Sequence, residues 1–101
     1  MTFRVVLTET VVQAIDAQLS YFDAQGAPGD RVGGWLDDLL AAIDSLSQWP
    51  ERYPVAEIES AVAGMELRKL NFGDYLVFYH VRSEKSLVEV LSLRHGARQR
   101  E

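Results

Sequence analysis

The chain has 101 residues, no cysteine, 48% hydrophobic and 25% charged side chains, and a formal net charge of −5. That length and balance fit a single globular domain spanning 1–101 with one core, and the missing thiols exclude disulfides, thiolate catalysis and cysteine zinc sites. No apolar run approaches the roughly 18 residues of a membrane span, and no basic-then-apolar leader opens the sequence, so no membrane association and a cytoplasmic location are expected.

Charge is unevenly spread. Residues 1–63 hold 3 basic and 10 acidic side chains (net −7), and residues 64–101 hold 7 basic and 5 acidic (net +2). Nonspecific affinity for nucleic acid comes mainly from neutralising phosphates, so the whole chain is a poor candidate for it. A local basic patch in the second part stays open, beside the plainer reading of a solvated mixed surface.

In chain order, Phe3-Arg-Val-Val-Leu-Thr8 places Phe3, Val5 and Leu7 on one face of a short strand. Thr8 or Thr10 then caps a helix. Thr10-Val-Val-Gln13 has capping-box spacing, whereas Thr8 puts Glu9 in the favourable first turn. Val11, Val12, Ile15, Leu19 and Phe22 form a stripe at helical spacing that Gly26 and Pro28 end.

A second helix is expected from Pro28 or Asp30 to near Ser47, with Val32, Trp35, Leu36, Leu39, Leu40, Ile43 and Leu46 on its apolar side. Gly33-Gly34 conflicts with its first turns, since each glycine costs about 1 kcal/mol relative to alanine. Either the pair lets the two helices approach closely, or the helix begins near Trp35. The short linker makes the two helices an antiparallel hairpin. Asp37, Asp38 and Asp44 read as a solvated face rather than a metal site, with no histidine near them in sequence.

Trp49-Pro50-Glu-Arg-Tyr-Pro54 stops the second helix, and Trp35, Trp49 and Tyr53 are expected in core and linker packing. Val55 to Gly64 is small and acidic, a connector with room for a short strand. Three strand-like runs follow. In the first, Arg68, Leu70 and Phe72 share one parity and Leu67 and Lys69 the other, an imperfect alternation that a bulge or a two-sided role for Arg68-Lys69 explains. The middle run, Tyr75 to Val81, is almost continuously apolar and suits a strand covered on both faces. The last puts Leu87, Glu89, Leu91 and Leu93 on one side and Val88, Val90 and Ser92 on the other. Turn chemistry at Asn71–Asp74 and Ser83–Ser86 joins the three as an antiparallel meander. The fold class is thus α+β, in the order β-α-α-β-β-β: a helical hairpin on one face of a mainly antiparallel four-stranded sheet. The first strand is expected at an edge, or parallel to a later strand with the helices as crossover.

Candidate functional residues gather late in the chain, with Arg68 and Lys69 in the first meander strand and Arg94, His95, Arg98 and Arg100 at its end. His95, with an ordinary pKa of about 6.5, suits general acid–base work, or it caps the strand end against backbone. His80 and Tyr79 alternate with core residues and read as structural. Arg68 contacts a target, or pairs with a carboxylate such as Glu89. No pattern calls for a metal or a small-molecule cofactor.

One ordered set of features covers nearly the whole chain. After the first strand and two helices come Leu46-x-x-x-Pro50-x-x-x-Pro54, then Gly64-x-x-x-Arg68-x-Leu70, Tyr75-Leu-Val-Phe-Tyr79-His-Val81, and Val88-Glu-Val-Leu-Ser-Leu-Arg-His95-Gly-x-Arg98. This set resembles the RelE/ParE superfamily of toxins from bacterial type II toxin–antitoxin pairs. The resemblance implies a growth-inhibiting toxin of the kind linked to plasmid stabilisation, neutralised by a cognate antitoxin and needing no cofactor.

It also implies one of two activities on one scaffold. RelE-like members cleave messenger RNA on the ribosome, which requires clustered groups for proton transfer and phosphate stabilisation; here those would be His95, Arg68 and Arg98, or Arg94. ParE-like members bind and inhibit DNA gyrase. In the nucleases an arginine commonly follows the aromatic that opens the middle strand, where this chain has Leu76, and a catalytic tyrosine often follows the last strand, where His95 precedes Gly96 and no tyrosine occurs after Tyr79. These departures and the net acidity favour the ParE-like branch, with no catalytic residues and with Arg68, Lys69, Arg94, His95 and Arg98 as target-binding candidates. A superfamily member that acts only as a binding partner is the third reading. An apolar groove beside the helices or an exposed sheet edge would suit an antitoxin segment.

Overall fold

The structure is a computed structural model and describes Thr2–Gly96. β1 (Arg4–Leu7) turns its odd-numbered side chains inward, with Arg4 and Val6 exposed, and leads directly into α1 (Glu9–Ala24). Thr8 holds the N-cap position in extended backbone, but its hydroxyl makes no cap bond. It donates instead to the Val90 carbonyl at 2.9 Å, fastening the start of α1 to the last strand. α2 (Gly29–Asp44) continues into a 3-10 turn, Ser45–Ser47. Phe22 meets the edge of Trp35 with centroids 5.1 Å apart, joining the two helices. Val12 and Leu40 fit the helical stripes but are 39% and 40% exposed, at the outer margins of the apolar faces.

Gly33 and Gly34 both lie inside α2, so the helix does not start late. A Cβ at either position would meet nothing within 4 Å, so no close approach requires glycine there. Only the cost of glycine in a helix remains. Gly33→Ala and Gly34→Ala are each expected to raise the unfolding free energy by about 0.5–1 kcal/mol. Urea denaturation measures this, and an unchanged or lowered midpoint would contradict it.

The segment after α2 departs from expectation in two ways. Trp49 does not pack: it is 81% exposed and sits in the left-handed region at φ 47°. The Arg52 guanidinium explains the backbone. It donates to the carbonyls of Ser45, Gln48 and Trp49 and to the Ser45 hydroxyl, tying the end of the helix to the turn after Pro50. The connector is a two-turn helix, α3 (Glu57–Ala63), and its strand character is limited to one bridge, Val55 to Arg68. α3 has no buried residue. It is held at its N-cap, through Ala56 N–H to the Leu67 carbonyl at 2.8 Å, and at its middle, through Leu67 N–H to Ser60 Oγ at 2.7 Å, and Gly64 closes it at φ 73°.

β2 (Arg68–Phe72), β3 (Tyr75–Arg82) and β4 (Leu87–His95) form the meander. The sheet order is β1-β4-β3-β2. The β2–β3 and β3–β4 pairs are antiparallel, whereas β1 is an edge strand parallel to β4 with the helices as crossover. The bulge is not at Arg68-Lys69, where β2 pairs regularly with β3. It lies on β4: Tyr79 pairs with Val90 and Phe78 with Ser92, leaving Leu91 as the extra residue. One extra residue reverses the side-chain parity, so Leu93 joins Val88 and Val90 on the core side instead of opposing them. Between helices and sheet the core comprises Val11, Ile15, Leu39, Ile43, Leu46, Leu70, Val77, Tyr79, Val88 and Val90, and Phe78 is buried as well.

Candidate functional site

Among the described residues, the basic side chains named from the sequence do not form one cluster. Arg68 turns away from solvent, its side chain only 17% exposed. Its Nη1 donates to the carbonyls of Glu51 at 3.0 Å and Tyr53 at 2.6 Å, and its Nη2 lies 3.6 Å from Glu66. The carboxylate expected for it, Glu89, is taken by Arg82 at 2.7 Å, and that bond and charge raise the Arg82 pKa. Arg68 is therefore a staple between β2 and the turn after Pro50.

Tyr79, the register partner of Arg68, reaches the same turn by donating its hydroxyl to the Pro50 carbonyl. Burial pushes its pKa up, against the lowering influence of the Arg68 and Arg52 charges, so the phenol keeps its proton and its bond throughout the neutral range. His80 likewise is structural, with Nδ1 2.7 Å from the Glu66 carbonyl.

His95 occupies a second place. It pairs with Tyr75 in register and stands edge-on to the Tyr75 ring, centroids 5.0 Å apart; Tyr75 in turn packs on Trp35 at 5.3 Å. Nδ1 of His95 is buried without a hydrogen-bond partner, so the expected backbone cap is not formed through that nitrogen. Arg68 and His95 lie two strands and four register positions apart, about 16 Å at ordinary strand spacing. The sheet does not bring these two strand positions together.

Lys69 and Arg94 occupy the third place, on the sheet face opposite the helices. Lys69 is the register partner of Phe78, and the Arg94 guanidinium lies over the Phe78 ring at 4.8 Å. Beside Arg94 a cleft of about 240 Å³ is lined by Ile58, Glu59, Val62, Ala63 and Leu67. Ile58 and Val62 are 77% and 85% exposed. The sequence carried this signal as two aliphatics four positions apart in an acidic segment, legible only if that segment is helical. A small patch thus combines two cations, a buried aromatic and an exposed aliphatic pair. Arg98 and Arg100 lie outside the described residues. Among the described residues no group of three His, Asp or Glu side chains could hold a metal ion, and no helix is long and apolar enough to cross a membrane.

Three helices packed on a four-stranded mixed sheet match the RelE/ParE-like toxin fold. The chain belongs to the ParE toxin family of type II toxin–antitoxin systems (parDE), whose family model matches residues 5–100. Two solved structures share the architecture. The archaeal RelE–RelB complex from Pyrococcus horikoshii OT3 gives a TM-score of 0.58 at 23% identity, covering 97% of this chain and 99% of that one. The toxin–antitoxin complex RelBE2 from Mycobacterium tuberculosis gives 0.57 at 17% identity, covering 94% and 92%. No curated protein matches the chain in sequence.

Proposed function

We propose that this toxin is ParE-like in action: it inhibits DNA gyrase by binding it, carries no catalytic residues, and is neutralised by a cognate antitoxin. The observation that carries the reading is the separation of Arg68 from His95, with Arg68 committed to backbone carbonyls. A nuclease would need these groups to converge on one phosphate, and Leu76 stands where a further arginine would help. Lys69 and Arg94, on an open face beside an exposed aliphatic pair, instead suit a protein partner, where a charged rim around an apolar anchor gives both affinity and orientation. Arg98 belongs to the same proposed contact. Arg68 and His95 support it from within the fold. An antitoxin partner is favoured because both similar structures are toxin–antitoxin complexes.

Pulse labelling of DNA and protein synthesis after inducing the chain without antitoxin tests the mechanism. Early loss of DNA synthesis with DNA-damage signalling is expected. Protein synthesis failing first would overturn gyrase binding and restore the ribosome and its messenger RNA as target.

A further inference from the structure

α3 is built inside out. It has seven residues, its N-cap Ala56 supplies no side-chain cap, and none of its residues is buried. Helices shorter than about 12 residues are marginal in water and normally take their stability from an apolar face packed on a core. The apolar face of α3 is turned to solvent instead. Ile58 and Val62 stand four positions apart, so they share one side of the helix, and they are 77% and 85% exposed. Met65, just past the helix end, is 39% exposed. One exposed aliphatic is ordinary on any protein surface. Here the exposed pair comprises the only large apolar side chains the helix has.

The cleft and the charges beside that face narrow what covers it. The cleft, about 240 Å³, takes its walls from Ile58, Val62 and Ala63 of α3, from buried Leu67 and from Arg94 of β4. That is room for a bulky apolar side chain. Arg94 is exposed and lies over the Phe78 ring, and Lys69, the register partner of Phe78, forms no ion pair among the described residues. One carboxylate, Glu59, belongs to the lining. An occupant that complements this arrangement brings an apolar residue to Ile58 and Val62 and a carboxylate to Arg94 and Lys69, and keeps acid away from Glu59. Charge therefore fixes its orientation as well as its chemistry.

We propose that α3 is the element through which this toxin recognises gyrase. An acidic amphipathic segment of gyrase lays an apolar side chain into the Arg94 cleft, sets a carboxylate against Arg94 and Lys69, and covers Ile58 and Val62. Docking supplies the burial that the fold withholds from α3, so the helix tightens on binding. The inference rests on the reading of this chain as a gyrase-binding toxin, and adds which helix carries the recognition and what chemistry it takes.

The test uses the full chain and purified DNA gyrase. Ile58→Ser combined with Val62→Ser is expected to weaken inhibition of supercoiling about 30-fold. Ala63→Trp, which fills the cleft from an exposed helix position, is expected to weaken it about tenfold. Ile58→Leu combined with Val62→Leu keeps both apolar groups and should stay within about threefold of wild type. All three positions are exposed, so the unfolding curves of the variants are expected to match wild type. Hydrogen exchange along α3 is expected to slow about tenfold or more when gyrase is bound, a change that a purely structural helix would not show. Full inhibition by both the serine pair and Ala63→Trp, or unchanged exchange in α3, overturns the docking site while the gyrase reading stands. Loss of antitoxin binding by these variants with gyrase inhibition intact assigns α3 to the antitoxin and overturns gyrase as its occupant. A wild-type chain that does not inhibit gyrase overturns both.

Discussion

Replacing Arg68 with alanine is expected to lower the unfolding free energy by about 3 kcal/mol, a large part of what a domain of this size possesses. The Arg68 guanidinium holds the turn after Pro50. Its two short bonds go to the carbonyls of Glu51 and Tyr53, which no helix or strand satisfies, and hydrogen bonds from a charged donor are worth about 1.5–3 kcal/mol each. Removing the side chain leaves both acceptors without this donor and releases the turn that also receives the Tyr79 hydroxyl. The ion pair to Glu66 adds little, since that carboxylate is 58% exposed. Arg68→Lys is expected to recover part of the loss, because both carbonyls accept from the single nitrogen Nη1 and an ammonium also offers several donors. Urea denaturation of the three proteins decides it. An alanine variant within about 0.5 kcal/mol of wild type would show that the turn holds itself. If the loss is as large as expected, reduced toxicity of Arg68→Ala has to be corrected for its folded fraction before it says anything about a target.

The double role offered by that arginine shows where sequence reading ran out. Period and punctuation made β1, both long helices and the meander legible: Phe3, Val5 and Leu7 alternate, Val11, Ile15 and Leu19 recur at helical spacing, and turn residues separate the strands. The parallel crossover of β1 followed from the same pattern as one of two options. Three features escaped because they depend on particular partners and not on periodicity. The bulge at Leu91 is set by register with β3, so the parity of Leu93 was misread. α3 lacks an apolar stripe facing inward and is fixed through Ala56, Ser60 and Leu67, which no periodicity reports. Trp49 is exposed, and Arg52, three residues on, captures the backbone carbonyls around it. The candidate site suffered most. Arg68, Lys69, Arg94 and His95 are near one another in a list of strand positions, but adjacent residues in a strand point to opposite faces. Lys69 and Arg94 therefore part company with Arg68 and His95.

That division makes a charge-reversal experiment decisive. Under the proposed gyrase contact, Lys69→Glu combined with Arg94→Glu is expected to reduce gyrase inhibition about 100-fold, whereas His95→Ala leaves it within about threefold. Reversing both charges turns two favourable contacts into repulsive ones. A loss of about 1.4 kcal/mol at each, ordinary for charges across an interface, multiplies to the stated factor. The fold should tolerate it: Arg94 is exposed and Lys69 half-buried, and losing the stack of Arg94 on Phe78 costs only about 0.5–1 kcal/mol. His95 contributes an edge-on ring contact to Tyr75 and an unpartnered nitrogen, neither of which reaches the Lys69–Arg94 face. Inhibition by the wild-type toxin should also weaken as salt rises, since charges on that face are screened over a Debye length of about 10 Å at 0.1 M. Supercoiling assays at two ionic strengths, with unfolding curves for each variant, give every term. A nuclease would invert the pattern. Loss of a general acid–base lowers rate by about 10²–10⁴, so a folded His95→Ala variant without toxicity, beside a fully toxic double reversal, would move function from the open sheet face to the end of β4.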